Sequence, residues 1–210
     1  KLPNYVQADS TEIQIMTPMR KGALGVEQLN KILQENFNPP GPDKQEKESG
    51  GTIFRKGDKV MQIKNNYQIE WEIKRGRYGI VVDHGQGIFN GDMGTIREIN
   101  EFANILTIEF DEGRFVDYPF SNIEELELAY AVTIHKSQGS EFQAVILVLN
   151  SCAKSLMNRG ILYTAITRAK ELLIIVGMDE IIQTMIRTDR VSKRYSGLRL
   201  RLKAYQEIGE

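Results

Sequence analysis

Residues 131–150 read AVTIHKSQGSEFQAVILVLN, and their division into elements governs everything around them. Thr133, His135, Lys136, Ser137 and Gln138 form a polar cluster that gives way at Gly139 to an almost unbroken apolar run. The run AVILVLN is expected to be a strand buried on both faces, as in a parallel sheet. The preceding AYAVTIHKSQG is expected to be a short helix, with Gly139 turning the chain into the strand. Ligands of parallel α/β sheets sit at strand ends and helix N-termini, so a polar cluster here is placed to face one. Thr, Ser, Gln and Lys side chains suit phosphate oxygens, and Glu141 can accept hydrogen bonds from ribose hydroxyls. The alternative is a solvated helix whose polar face meets only water.

Downstream, NRGILYTAITRAK is expected to be a helix, ELLIIVG a second apolar strand and DEIIQTMIR a closing helix. Upstream the pattern changes. YQIEWEIK alternates apolar and polar residues through Tyr67, Ile69, Trp71 and Ile73, the rhythm of a strand. The next segment, RGR, turns into YGIVVD and gives a hairpin with a basic tip of Lys74, Arg75 and Arg77. GTIREIN, ILTIEF and RFVDYPF follow as short strands, which predicts a small antiparallel sheet or barrel. Earlier still, EIQIMTP reads as a strand stopped by Pro18, and Val26, Leu29, Ile32 and Leu33 recur at helical spacing. The stretch ENFNPPGPDKQEKESGG between them reads as a linker. The predicted division is therefore residues 1–35, an opening strand and helix of an α/β domain; 36–51, a linker; 52–128, an inserted β-module; and 129–210, the rest of the α/β domain.

Composition narrows the function. The chain has 210 residues with 41% hydrophobic and 26% charged, ordinary for a globular protein. Its net charge is −1, so any nucleic-acid surface must be a local patch. The single cysteine, Cys152, cannot form an internal disulfide, and no Cys/His cluster suggests a metal site. With no apolar run long enough for a bilayer and no signal-peptide pattern, a cytoplasmic protein without a membrane partner is expected.

Arg168 stands near the end of the LYTAITRAK helix, just before a strand. A guanidinium there can meet the charge that grows on a transferring phosphoryl group. Equally, it can be an ordinary helix-terminal arginine paired with Glu171. On the hairpin, Trp71 shares the face of Ile69 and Ile73 and is expected to pack inside the β-module.

TIHKSQGSEF followed by LYTAITRAK resembles motifs V and VI of superfamily 1 helicases of the RecD-like group. IQIMTPMRKGALGVEQLN resembles that group's motif IV region. FRKGDKVMQIKNNYQ with GIFNGDMGTI resembles the SH3-like module inserted into its second RecA-like domain, and KRYSGLRLRL resembles its tail. Pif-type helicases share the TIHKSQG element.

The resemblance implies an α/β fold: a second RecA-like domain of the P-loop NTPase type, with a parallel sheet, interrupted by a small SH3-like β-barrel. It implies an ATP-dependent 5′-to-3′ DNA helicase of recombination or repair, a group that includes the exodeoxyribonuclease V alpha subunit. Arg20 matches the motif IV arginine sensing the terminal phosphates, and Arg168 matches the arginine finger. Gly139 and Glu141 match positions near the nucleotide, while Thr133, His135, Ser137 and Gln138 match contacts to the DNA strand. His135 is expected to hydrogen-bond DNA or a neighbouring motif rather than perform acid–base work.

No G-x-x-x-x-G-K-[ST] loop occurs in the sequence. ATP and Mg²⁺ are therefore expected to be held mainly by a preceding RecA-like domain of the same protein, with Arg20 and Arg168 both reaching the γ-phosphate. On this expectation the segment alone is inactive. Single-stranded DNA, that preceding domain and a multi-subunit recombination nuclease are the implied partners. A non-enzymatic nucleic-acid-binding or protein-interaction module is the competing function.

Overall fold

A computed structural model describes residues 12–42, 44–76, 79–150 and 153–189, with 197, 198, 201, 202 and 205. Two sheets divide the work. The first is four-stranded and parallel throughout. It is built from β1 (Ile13–Thr17), β11 (Ala131–Thr133), β12 (Phe142–Leu149) and β13 (Ala169–Gly177) in the order β11-β1-β12-β13. Helix α1 (Val26–Phe37) follows β1, α2 (Arg159–Ile166) precedes β13, and α3 (Asp179–Arg187) follows it.

Helix formation is locally readable. Asn158 caps α2, its Oδ1 accepting from Ile161 N at 3.0 Å. In α3, Asp179 and Glu180 lie in the first turn and Arg187 in the last, matching the helix dipole. The expected strand ELLIIVG is present as β13, but as the sheet's edge, so Leu172–Ile175 are half-buried rather than covered on both faces.

The second sheet has seven strands in the order β10-β4-β7-β8-β9-β5-β6. Its members are β4 (Lys59–Gln62), β5 (Asn66–Arg75), β6 (Ile80–Ile88), β7 (Met93–Asn100), β8 (Ile105–Phe110), β9 (Arg114–Pro119) and β10 (Leu126–Leu128). Adjacent strands pair antiparallel. Their inward residues, including Val60, Ile88, Ile96, Leu106, Ile108, Val116 and Tyr118, share one core. Trp71 packs against that core opposite Gly85, where a β-carbon would stand 2.5 Å from the indole.

The stretch 36–51 is more structured than a linker. Helix α1 runs on to Phe37, and β2 (Glu46–Ser49) pairs with β3 (Thr52–Arg55). Gly50 and Gly51 take φ of 56° and 77°, the left-handed backbone that a two-residue hairpin turn demands.

The two sheets are fastened together. Met61 of β4 and Met93 of β7 belong to the apolar cluster that holds Met16, Val145 and Leu147 of the parallel sheet. Asp58, fully buried, accepts from Gln34 Nε2 (2.6 Å), Asn38 Nδ2 (2.7 Å), Tyr130 Oη (2.8 Å) and Arg55 N (2.6 Å). Asn30 of α1 donates to Leu128 O and Ala131 O and accepts from Ala131 N. Gln14 donates to the carbonyls of Ala129 and Tyr130 and accepts from Lys59 Nζ at 2.9 Å. A small interface with mobile halves would lack this shared apolar core.

Candidate nucleotide and nucleic-acid site

No helix forms over AYAVTIHKSQG. Ala131–Thr133 pair with Ile15–Thr17 as a strand, and residues 134–139 follow as successive turns. The β-branched Val132, Thr133 and Ile134 suit that pairing, while Lys136 N and Ser137 N both donate to Thr133 O to start the turns. Gly139 closes them at φ 95°. The connection carries the chain from the carboxyl edge of the parallel sheet, where β11 ends, to the amino edge, where β12 begins.

This geometry sorts the cluster. Thr133 and Lys136 are half-buried at the carboxyl edge, and His135 and Gln138 are exposed on the turn. Ser137 is fully buried, and its hydroxyl donates to Ile134 O at 2.8 Å. It braces the corner, so the expectation that it touches a DNA strand does not fit its position.

Arg20 and Arg168 are not brought together. All four strands run the same way. Arg20 follows the carboxyl end of β1, whereas Arg168 immediately precedes the amino end of β13. The sheet's length separates them, and the shared phosphate expected for both is not what this arrangement offers.

At the carboxyl edge, Arg20 Nε donates to Glu27 Oε1 (3.1 Å) and Nη2 to Glu127 Oε1 (2.7 Å). Lys136 Nζ donates to the other oxygen of Glu127 at 2.8 Å. Burial pushes the Glu127 carboxyl up, but Lys136 and Arg20 outweigh it and hold the group below the usual carboxylate range. Glu127 chiefly, with Glu27, raises the Arg20 guanidinium in turn. Glu127 and Glu27 were not legible as site residues. Each is one acidic side chain in an ordinary element, and only the folded chain sets Glu127 beside Arg20.

At the amino edge, Arg168 is held by neutral acceptors. Nη1 donates to Ser140 O (3.0 Å), Nε to Thr164 O (3.3 Å) and Nη2 to Thr167 Oγ1 (3.3 Å). Its own carbonyl accepts from Phe142 N at 2.9 Å, stapling motif to corner. Glu171 is not its partner; that carboxylate accepts from Gln143 Nε2 instead. Among the described residues no ion pair involves Arg168. Gly139 lies alongside, with open space where a β-carbon would project, and exposed Glu141 stands 3.8 Å from Lys170 Nζ. A groove of about 720 Å³ separates Gly139, Glu141 and Lys170 from Asp92, Arg97 and Arg114 of the barrel. A guanidinium with no counter-charge beside an open glycine turn fits one flank of a phosphate site. Among the described residues no group of three or more His, Cys, Asp or Glu is placed to hold a metal ion.

On the barrel hairpin, Lys74 Nζ lies 3.2 Å from Glu72 Oε2 and 5.8 Å above the Phe115 ring, and Arg75 is exposed. Arg77 lies outside the described residues. No helix among the described residues is long and apolar enough to cross a membrane.

The family model of the ATP-dependent RecD-like DNA helicase SH3 domain matches residues 29–110, taking in much of α1 and the β2–β3 hairpin. The model of the UvrD-like helicase C-terminal domain matches residues 128–176. The ATP-dependent RecD2 DNA helicase of Deinococcus radiodurans is 37% identical over 163 residues, 76% of this chain and 19% of its own length. The RecBCD enzyme subunit RecD of Haemophilus influenzae is 28% identical across 92% of this chain and 25% of its own. The chain thus spans about a fifth to a quarter of these relatives. A solved structure of Pif1 from Bacteroides bound to single-stranded DNA superposes with a TM-score of 0.50 at 19% identity, covering 94% of this chain and 46% of that one. That likeness is one of fold. With an SH3 domain and a UvrD-like C-terminal domain in succession, the chain belongs to the RecD-like helicases of superfamily 1.

Proposed function

We propose that this chain is the second motor domain of an ATP-dependent DNA helicase that moves 5′ to 3′ on single-stranded DNA, with its two ligand surfaces on opposite edges of one sheet. The observation that carries this reading is the state of Arg168: a guanidinium bound only by uncharged oxygens, next to Gly139 and Glu141. It is the arginine finger in this proposal, facing a nucleotide held across the cleft by a preceding RecA-like domain. ATP, when bound, supplies the phosphoryl group whose transfer to water drives the cycle. Arg168 exchanges neutral acceptors for an oxyanion and so favours the closed arrangement of the two domains. Magnesium belongs to the other domain in this reading.

The carboxyl edge takes the strand. Thr133, His135 and Gln138 line its turn, and Arg20 joins them there rather than the nucleotide. Because the corner spans both edges, a shift at Arg168, bonded to Ser140 O, is felt at Thr133 through a few turn residues. The barrel tip, Lys74, Arg75 and Arg77, supplies a further basic surface for DNA. The Haemophilus relative's name supports a place in a multi-subunit recombination nuclease as one partner. The relatives, named as a helicase and an enzyme subunit, give the non-enzymatic alternative no support.

The test is Arg168→Ala in the full-length protein. DNA-stimulated ATP hydrolysis should fall by about a thousandfold or more, with single-strand affinity retained. Turnover within a few-fold of wild type removes Arg168 from the nucleotide site.

A further inference from the structure

Glu127 belongs to the barrel, yet both its oxygens are spent on cations of the parallel sheet's carboxyl edge. Oε1 accepts from Arg20 Nη2 at 2.7 Å and Oε2 from Lys136 Nζ at 2.8 Å. With Glu27 on Arg20 Nε, two cations face two carboxylates, and these four groups together carry no net charge. The contacts are accessible: side-chain exposure is 56% for Arg20 and 27% for both Glu127 and Lys136. Accessible pairs of this kind are weak and exchange readily with other anions. A phosphodiester carries the same unit charge and two acceptor oxygens, so it can take the place of this carboxylate on both donors.

We propose that Glu127 is a surrogate phosphate: the barrel uses it to occupy Arg20 and Lys136 until a single-stranded backbone displaces it, and it thereby sets the affinity of this edge for DNA. This rests on the strand lying along the carboxyl edge, as argued above. Glu127 is a positioning residue and touches no reacting atom.

The experiment uses the full-length protein, a fluorescent oligothymidylate and a salt series. Glu127→Gln keeps the size and one acceptor oxygen but removes the competing charge and one of the two acceptors. It should tighten single-strand binding about three- to tenfold and steepen the slope of log affinity against log salt by about one. The DNA concentration for half-maximal ATP hydrolysis should fall, with kcat and KM for ATP unchanged. Glu127→Asp, too short to span both cations, should lie between Gln and wild type, and serves if the Gln variant fails to fold. Adding Lys136→Gln to Glu127→Gln should cancel most of the gain. Unchanged or weakened binding in a folded Glu127→Gln protein overturns the proposal while leaving the motor reading intact. A shifted KM for ATP with unchanged DNA affinity overturns the assignment to the strand. Absence of salt-dependent single-strand binding by wild type overturns both.

Discussion

Lys59 shows how one side chain can be both structural and a probe. Its ammonium lies in the seam between the sheets, bonded to Gln14 Oε1 and 5.8 Å from the Phe142 ring. Burial pulls its pKa from 10.5 down to about 8, against the opposing pull of Asp111. The sign follows from linkage. Below pH 8 the lysine is charged whether folded or not, and the full cost of burying that charge is present. Between 8 and 10.5 the folded form sheds its proton first, so the cost is withdrawn and stability rises with pH. The rise amounts to roughly 3 kcal/mol if complete. It is best read up to about pH 10, because burial holds the phenols of Tyr118 and Tyr130 above their usual value and their later ionisation pulls the other way. Denaturant midpoints between pH 7 and 10 should climb for wild type and stay flatter for Lys59→Met; parallel curves would refute the assignment. The same scale separates the two arginines. Their spelling in TPMRKG and ITRAK is similar in kind, and only the strand direction tells that one sits with Thr133 and the other with Ser140.

Among the elements, the corner between β11 and β12 matters most and was the hardest to read. Long alternating strands such as β5 and β8, and α1 with its helical spacing, are legible because their side-chain period repeats several times. Strand β11 has three residues, too few for any period to show, and the tandem turns after it mimic a helix in composition. The turns rest on the buried Ser137 hydroxyl and on Gly139. No atom stands within 4 Å of a β-carbon added at Gly139, so replacing it acts through backbone alone. Gly139→Ala should therefore cost about 1–2 kcal/mol of stability, and Gly139→Asn distinctly less, since Asn tolerates a left-handed backbone. Equal losses in thermal unfolding would refute the backbone account. Strand β12 was legible for a different reason. It lies between β1 and β13, with Phe142, Ala144, Val145, Leu147 and Leu149 of its apolar run buried and Ile146 and Val148 half-buried.

For the whole molecule, the attachment of barrel to parallel sheet decides whether the two act as one body. The alternation of α/β and all-β segments made an insertion legible, because the side-chain period changes twice along the chain. The seam itself was not, since Asp58, Asn30 and Gln14 are single polar residues whose partners come from other elements. Asp58→Ala would leave the amides of Gln34 and Asn38, the Tyr130 hydroxyl and Arg55 N–H with no acceptor there. The loss should be about 3 kcal/mol, read as amide exchange about a hundredfold faster in both α1 and β3–β4. Faster exchange in the barrel alone would mean that Asp58 serves only its own turn.

The order of strands also dictates a schedule for synthesis. Ile13 of β1 lies against Ala144 of β12 and Ile15 against Ala131 of β11, so β1 leaves the ribosome well ahead of neighbours that are translated only after the entire barrel. Most barrel strands, by contrast, meet partners made shortly before or after themselves, and such local pairing is fast. The inserted module thus matures first and becomes the template against which the older segment is finally seated.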